Sequence, residues 1–376
     1  MQGQIVFFLA FTTLYGAMHI LVYVHASRAL GLSLTAKKAL ALFFTAMTLT
    51  PAAASILGDR TGPLSWAAFV WMGLVFYLFL GTLPLALTRS FTPKAAQRAL
   101  FLTMVLACLG VGAYGVYNAR HIEVRRVTIL TDKLPPGTDS IRIAAISDLH
   151  LYSVEEGSRL DRVLPVLESL DYDILVSLGD LIEMGVHRAY WRESSSRLAQ
   201  ISPRLGKYAV NGNHEAYADR VAGQNISEEF HADAGFTLLS NTAVNVGGVL
   251  WIAGAEYAGN ALHAKGAAGT EADLLRSIPF GLPVVLLKHV PLVDSGDTGL
   301  VDLQLSGHTH GGQIWPFSAL VRLLFPFMEG LYPLASGARL YVNTGTGTWG
   351  PPMRVGTRPE ITLITLKQGD PDKMSQ

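Results

Sequence analysis

Cysteine is nearly absent: Cys108 is the only one in 376 residues. A disulfide within the chain and a thiolate zinc cluster are therefore excluded, and Cys108, inside an apolar run, says nothing about redox compartment. Charge is scarce too. Asp, Glu, Lys and Arg make up 15% of the residues, against about 25% in ordinary soluble proteins. Half of the residues are hydrophobic and the mean hydropathy is +0.32, so the chain is neither wholly soluble nor disordered. Acidic residues are missing above all from the first third. Residues 1–118 hold Arg28, Lys37, Lys38, Arg60, Arg89, Lys94 and Arg98 against the single acid Asp59. Beyond residue 118 stand 22 of the 29 basic and 28 of the 29 acidic residues, a net of −6. A nucleic-acid-binding surface needs the opposite sign, so no nucleic-acid partner is expected.

What the first third has instead is four uncharged apolar stretches, residues 5–24, 39–58, 64–87 and 99–117. Each is close to the roughly 20 residues that cross a bilayer core as a helix. Residues 1–4 lack a basic leader and three more apolar segments follow, which argues against a signal peptide. Pro51 and Pro84 fall inside the second and third stretches, where a membrane helix tolerates a kink. His19 is a lone polar group in the first. These readings predict a membrane domain of four transmembrane helices over residues 1–118, and a second domain over 119–376. Basic residues crowd the first and third links (Arg28, Lys37, Lys38; Arg89, Lys94, Arg98), which the positive-inside rule places in the cytoplasm. Arg60, Arg120, Arg125, Arg126 and Lys133 oppose this, six against five. With the first helix deciding, the second domain is expected on the extracytoplasmic side of a bacterial inner or plasma membrane.

After about residue 120 the pattern changes to short β-prone runs with helical spacing between the early ones, which is an α/β signature. The strands are expected at 126–130, 141–146, 173–178, 208–210, 249–253, 283–287, 301–305, 340–343 and 361–366. Helices are expected at 159–170 and 190–201, and residues 367–376 read as a frayed tail. Five of these strands run into polar groups: Asp148 and His150; Gly179-Asp180; Asn213, His214 and Glu215; His289; and His308 with His310. In α/β sheets ligands bind beyond the carboxyl ends of strands, so the five ends should converge on one crevice. Among these, the two aspartates, an amide and five imidazoles, without a thiolate, suit Mn, Fe, Zn or Mg. They also exceed what one ion needs, so two divalent metal ions bridged by a carboxylate are the economical reading. The other histidines, His19, His25, His121, His187, His231 and His263, are expected in core or surface roles.

Residues 126–366 resemble the calcineurin-like metallophosphoesterases, through Asp148-x-His150, Gly179-Asp180, Gly212-Asn213-His214-Glu215, His289 and Gly307-His308-Thr309-His310. The longer string 307–313 and the segment 341–348 look like bacterial relatives of UDP-diacylglucosamine pyrophosphatase. The multi-span N-terminal third is similar to transmembrane proteins with a metallophosphoesterase domain. The resemblance implies a four-layer α/β/β/α metallophosphoesterase sandwich preceded by four transmembrane helices. It further implies that Asp148, His150 and His310 hold one metal and Asn213, His289 and His308 the other, with Asp180 bridging. His214 would protonate the leaving oxygen as a catalytic residue, with Glu215 holding its ring, while a metal-bridging hydroxide attacks phosphorus.

The expected function is a membrane-anchored phosphoesterase acting on a phosphomonoester, phosphodiester or pyrophosphate, with a lipid-linked substrate and the lipid bilayer as partners. The apolar stretch 315–331, just past two ligands, reads first as a loop closing over the sandwich core and second as a surface for an acyl chain. Two other classes compete: a non-catalytic scaffold using the fold as a binding module, and a transporter or sensor built on the helices. An intact ligand set argues against the first. Spans with no charge and only His19 as an ionisable imidazole argue against the second.

Overall fold

Alternation of side chains decides how the second part of the chain folds. In the run Ile141, Ile143, Ala145 and the run Ala144, Ile146, successive residues must face opposite sides of a strand. Both sets are apolar, so the strand has to be covered on both faces. The computed structural model describes residues 2–57, 62–151, 156–183, 188–257, 268–293, 298–334 and 336–370. Asp59, Arg60, His187, His263 and the end of the second apolar stretch at Gly58 lie outside the described residues.

Four helices come first: α1 (Gln2–Ala29), α2 (Leu34–Leu57), α3 (Gly62–Thr88) and α4 (Lys94–Asn118). The third packs against each of the others. Among the described residues three helices are long and apolar enough to cross a membrane, Leu9–Ala29, Leu64–Phe91 and Lys94–Asn118. The expectation of four spans is corrected to three candidates and a fourth helix. That helix, α2, opens on Lys37 and Lys38 and is diluted by Thr45, Thr48, Thr50 and Pro51. His19 is buried, its Nδ1 on the Tyr15 carbonyl at 2.8 Å and its Nε2 accepting from Trp71 Nε1 at 2.9 Å. A buried imidazole satisfied on both nitrogens is a helix contact and carries no further role.

The remainder runs β1 (Glu123–Thr131), β2 (Ser140–Ile146), α5 (Glu156–Ser169), β3 (Ile174–Ser177), α6 (Arg188–Ala199), β4 (Lys207–Ala209). Then follow α7 (Asn213–Ala222), α8 (Ile226–Asp233), β5 (Thr237–Leu238), β6 (Thr242–Val246), β7 (Leu250–Gly254) and α9 (Ala268–Arg276). The chain closes with β8 (Val284–Leu287), β9 (Leu303–Ser306), α10 (Phe317–Leu324), β10 (Gly330–Pro333), β11 (Arg339–Val342) and β12 (Glu360–Gln368). The last strand extends to Gln368, so part of the expected frayed tail is paired with β1. Two six-stranded sheets result, in the orders β1-β12-β2-β3-β4-β5 and β10-β11-β9-β8-β7-β6. The neighbours β2, β3, β4 and β5 are parallel, as are β11, β9, β8 and β7.

Between the sheets lies one apolar cluster, with Ile141, Ile143, Ile174 and Val176 meeting Ile252, Val285, Leu303 and Leu305. The opposite face of the first sheet, Ala144, Ile146 and Leu175, packs on Leu160, Leu167, Trp191, Leu198 and Phe230 of α5, α6 and α8. The opposite face of the second, Val284 and Leu286, packs with Leu275 of α9 and with Ile278. The architecture is the four-layer α/β/β/α sandwich. The chain divides into two compact units, Met1–Asn118 with Gly350–Met353, and Ala119–Trp349 with Arg354–Gln376.

One buried group in α8 makes this fold sensitive to acid. His231 is fully buried, its Nδ1 donating to the Ser227 carbonyl at 2.7 Å while its Nε2 meets no hydrogen-bond partner. Burial holds its pKa down to about 4. The unfolded chain therefore takes up a proton near pH 6.5 that the folded chain refuses, so stability is intact above that pH and falls as pH drops from 6.5 towards 4. At pH 5 the loss from this residue is about 2 kcal/mol. In thermal unfolding of the purified chain, His231→Gln should lose less stability between pH 7 and pH 5 than the wild type; an equal loss refutes the assignment.

Candidate active site

The polar strand ends are held in a conformation the backbone resists. Seven described non-glycine residues have positive φ, and five of them are Asp148 (50°), His150 (46°), Asp180 (55°), His308 (72°) and His310 (52°). Each costs roughly 1–2 kcal/mol in the left-handed region, so the surroundings must impose it. Cross-strand backbone bonds do so: Asp148 N to Gly179 O and His150 N to Asp180 O, both 2.9 Å, and Gly307 N to His289 O, also 2.9 Å. Two glycines permit the close approach. A Cβ at Gly212 would collide with the Asp180 carboxylate, and one at Gly307 with the Ser147 hydroxyl and the Asp148 carboxylate. Turning each strand end through the left-handed region aims its side chain back into the crevice.

The crevice gathers the expected residues into adjoining groups. Asp148, His150 and His310 form one, Asp180, His289 and His308 another, and in each the donor atoms lie within 4.8 Å of one another. His310 Nε2 is 3.4 Å from Asp148 Oδ1 and 3.1 Å from His150 Nε2. His289 Nε2 is 3.2 Å from Asp180 Oδ2, 3.1 Å from His308 Nδ1 and 3.3 Å from the Asn213 side-chain oxygen. Asp180 Oδ2 also lies 3.9 Å from His150 Nε2 and 4.0 Å from His214 Nε2, and so stands between the groups.

These donors fit divalent cations. Two imidazole nitrogens 3.1 Å apart cannot both present bare lone pairs without a proton or a cation between them. Burial, reinforced by the positive charge of His289, holds His308 down to about 3, and burial with Arg354 lowers His310, so both are neutral ligand-form imidazoles. His289 goes the other way, to about 10: burial opposes protonation, but the Asp180 carboxylate outweighs it. Asp148 and Asp180 are both buried, and buried carboxylates demand positive charge.

A carboxylate absent from the sequence reading organises the rim. Glu183, three residues past Asp180, takes Nδ1 of His150 on one oxygen and Nδ1 of His214 on the other, each at 2.7 Å. Both rings therefore carry their proton on Nδ1 in the neutral form and turn Nε2 towards Asp180. Although burial works against ionisation, these imidazoles hold Glu183 down to about 2. In turn Glu183 raises His214 to about 9 against its own burial. The expectation that Glu215 holds the His214 ring is corrected. Glu215 is fully buried and accepts the backbone N–H groups of Asp180, Leu181, Ile182 and Gly212 at 2.5–3.1 Å. A carboxylate with four inward N–H groups around it is committed to the loop and has no lone pair directed at a ring.

Two buried arginines were equally invisible. Arg354, with no exposed surface, donates to the carbonyls of His310, Thr344, Gly345 and Gly347, and Arg159 to those of Leu149 and His150. Backbone N–H groups of Thr346 and Gly347 reach the Ser147 and Asp148 carbonyls, so the 341–348 segment braces the first ligand loop. Gln313 exchanges two 2.9 Å bonds with the Trp349 backbone, and the Trp349 ring stands 5.9 Å from that of His214. Lys288 is paired with Glu271 at 2.7 Å.

The stretch after Gln313 corrects a further expectation. Its first half does not close over the core: α10 has no buried residue, and Trp315, Phe317, Leu320, Leu323 and Leu324 are all exposed, Leu323 to 83%, while Met328 further on is buried. Beyond it, the Phe325 ring stands edge-on to His308 at 5.2 Å.

Comparison with known proteins gives the family. The calcineurin-like phosphoesterase family matches residues 141–312. An uncharacterized metallophosphoesterase of Aquifex aeolicus (strain VF5) is 37% identical over 265 residues, 70% of this chain and 98% of that protein. A transmembrane protein with metallophosphoesterase domain of Danio rerio is 34% identical over 332 residues, 80% of this chain and 72% of that one. Among solved structures, TT1561 of Thermus thermophilus aligns with a TM-score of 0.37 and 14% identity, over 55% of this chain and 90% of that chain. The chain belongs to the calcineurin-like metallophosphoesterases and is a membrane protein and a metal-dependent phosphoric ester hydrolase.

The two glutamates should separate on substitution. Glu215→Gln replaces an acceptor oxygen by a donor and strands two buried N–H groups at about 1–3 kcal/mol each, so the melting temperature should fall sharply. Glu183→Gln should leave the melting temperature nearly unchanged and lower turnover. Thermal unfolding beside steady-state kinetics decides; a stable Glu215→Gln protein would overturn its role in the loop.

Proposed function

We propose that the chain is a dinuclear phosphoesterase anchored by residues 1–118, with residues 119–376 as its catalytic domain. Asp148, His150 and His310 would hold one divalent cation, Asn213, His289 and His308 the second, and Asp180 would be shared. The observation that carries this is the place of Asp180 Oδ2, within 4.0 Å of ring nitrogens from both groups. Mn, Fe, Zn and Mg all accept such nitrogen and oxygen donors. When bound, such a pair offsets charge on the phosphoryl oxygens and makes a water-derived nucleophile available near neutral pH. His214 supplies the rest. Its Nδ1–H is fixed by Glu183, it carries a proton at pH 7, and its Nε2 faces the crevice, which suits a general acid for the leaving oxygen.

Asp180→Asn should lose both metal ions and activity together. His214→Ala should keep the metal and lower turnover by about 10²–10⁴-fold. Metal analysis beside kinetics tests both. Metal loss from the His214 variant would make it a ligand, and full wild-type turnover after chelation would end the reading.

The substrate we favour is a lipid-borne phosphoester. The support is the exposed apolar surface of α10 beside Phe325 and His308, on a chain that also carries membrane-spanning helices. Each methylene of an acyl chain buried there contributes about 0.8 kcal/mol, so four change efficiency by roughly two orders of magnitude. Replacing exposed Leu320, Leu323 and Leu324 by Ser should lower turnover of a lipid ester and spare a soluble ester of the same head group. Equal losses on both would return the stretch to a structural role. We place the catalytic domain outside the cytoplasmic face of a bacterial inner or plasma membrane. Arg125, one of the opposing basic residues, is engaged by Glu360 at 3.5 Å and Glu123 at 3.7 Å. Intact spheroplasts should hydrolyse an impermeant soluble ester without lysis, and activity released only on lysis reverses the orientation.

A further inference from the structure

Among the described residues, the helices of the first unit carry basic residues and no acid. In antiparallel order, the end of α1, the start of α2, the end of α3 and the start of α4 belong to one end of the set. That end carries Arg28, Lys37, Lys38, Arg89, Lys94 and Arg98. The only acid in residues 1–118, Asp59, belongs by sequence to the link between α2 and α3, outside the described residues. At this basic end a cavity opens between α1, α3 and α4, with Arg28, Arg89, His25 and Gln97 among its polar walls and Leu85 and Leu100 among its apolar ones. Both arginines are exposed, and among the described residues neither meets a carboxylate.

The polar floor is already fixed. Gln97 Nε2 donates to the carbonyls of Arg89 at 3.1 Å and Thr92 at 2.8 Å, which locks the turn from α3 into α4 and with it the backbone that presents Arg89. His25 Nδ1 is spent on the Leu21 carbonyl at 2.9 Å, which sets the ring and leaves Nε2 as its remaining polar atom. Two arginines lining one cavity match the oxygens of a phosphate. The leucines among the lining residues, at helix ends that leave a bilayer, match the glycerol and first methylenes attached to it. A free anion would use only the polar part of such a lining.

We infer that this cavity seats the headgroup phosphate of an anionic glycerophospholipid, as a structural lipid distinct from any substrate of the metal site. Each basic residue near an anionic lipid surface contributes about 1 kcal/mol, so losing both arginines should weaken retention by about 30-fold. The test is native mass spectrometry of the full chain released from detergent with dioleoylphosphatidylglycerol or dioleoylphosphatidylcholine. Phosphatidylglycerol should be retained in preference. Arg28→Gln with Arg89→Gln should lose it, and Lys37→Gln with Lys38→Gln, at the same end but outside the cavity, should keep it. Both variants should hydrolyse a soluble ester at the wild-type rate, which shows that they fold. Should the arginine variant not fold, a photoactivatable phosphatidylglycerol on the wild type should label residues 25–29 and 85–101 and spare α2. Equal retention of the two lipids, equal loss in the lysine variant, displacement by millimolar inorganic phosphate, or labelling spread over α2 would each overturn the inference.

Discussion

The placement of Asp180 is the constraint on which the catalytic unit depends. Its carboxylate is buried, it accepts the His214 backbone N–H on one oxygen, and it confronts three imidazole nitrogens with the other. Nothing about a short loop after β3 holds a charge there unaided. Its own backbone stands at positive φ, its N–H is fixed by Glu215, and Gly212 gives way before its side chain. Remove the carboxylate at Glu215 and four N–H groups lose their common acceptor, so the loops after β3 and β4 lose their registration. The site is thus built from the backbone outward. The polar chemistry at its centre is affordable because two apolar layers, inside and outside the sheets, fix where the strands end.

That order explains what the sequence could and could not say. The strands were readable where both faces are apolar, as in residues 141–146 and 283–287. The same logic singled out the polar strand-end residues that the structure gathers into one crevice, since a polar group directly after a buried strand has few other reasons to be there. Short edge elements escaped: β5, β6 and β10 are half-exposed and lack a sustained period. Glu183, Arg354 and Arg159 escaped for a different reason. Each acts on groups far along the chain, Arg354 on a carbonyl 44 residues away and Arg159 on Thr348 across 189. Local spacing holds no trace of such a contact. The assignment of Glu215 to the His214 ring failed similarly: adjacency in sequence suggested a partner, whereas the turn into α7 sends the two side chains in different directions.

The membrane unit obeys a different solvent. Its helices satisfy their backbone internally, and a polar side chain such as His19 is tolerated because a carbonyl one turn away and the Trp71 indole complete its bonding. Charge is confined to the helix ends and the links, and at one end it is of one sign only. Such an arrangement is favoured next to an anionic surface and self-repelling away from one, which is the physical ground for the proposed anionic lipid.

The same reasoning bears on α10. In water, Trp315, Phe317, Leu320, Leu323 and Leu324 together would form an exposed apolar patch of the kind soluble monomers avoid, because it promotes association. A core function is excluded by the absence of any buried residue in the helix. The patch therefore needs an apolar neighbour, and covalent attachment to membrane-spanning helices raises the concentration of one such neighbour far above any soluble competitor. With Phe325 against the ring of His308, an acyl chain lying along that patch would begin where the phosphoester must sit for hydrolysis. Apolar surface and the proposed metal ligands meet at one residue, His308 beside Phe325, and that junction is what supports the proposal of a lipid-borne ester over a soluble one.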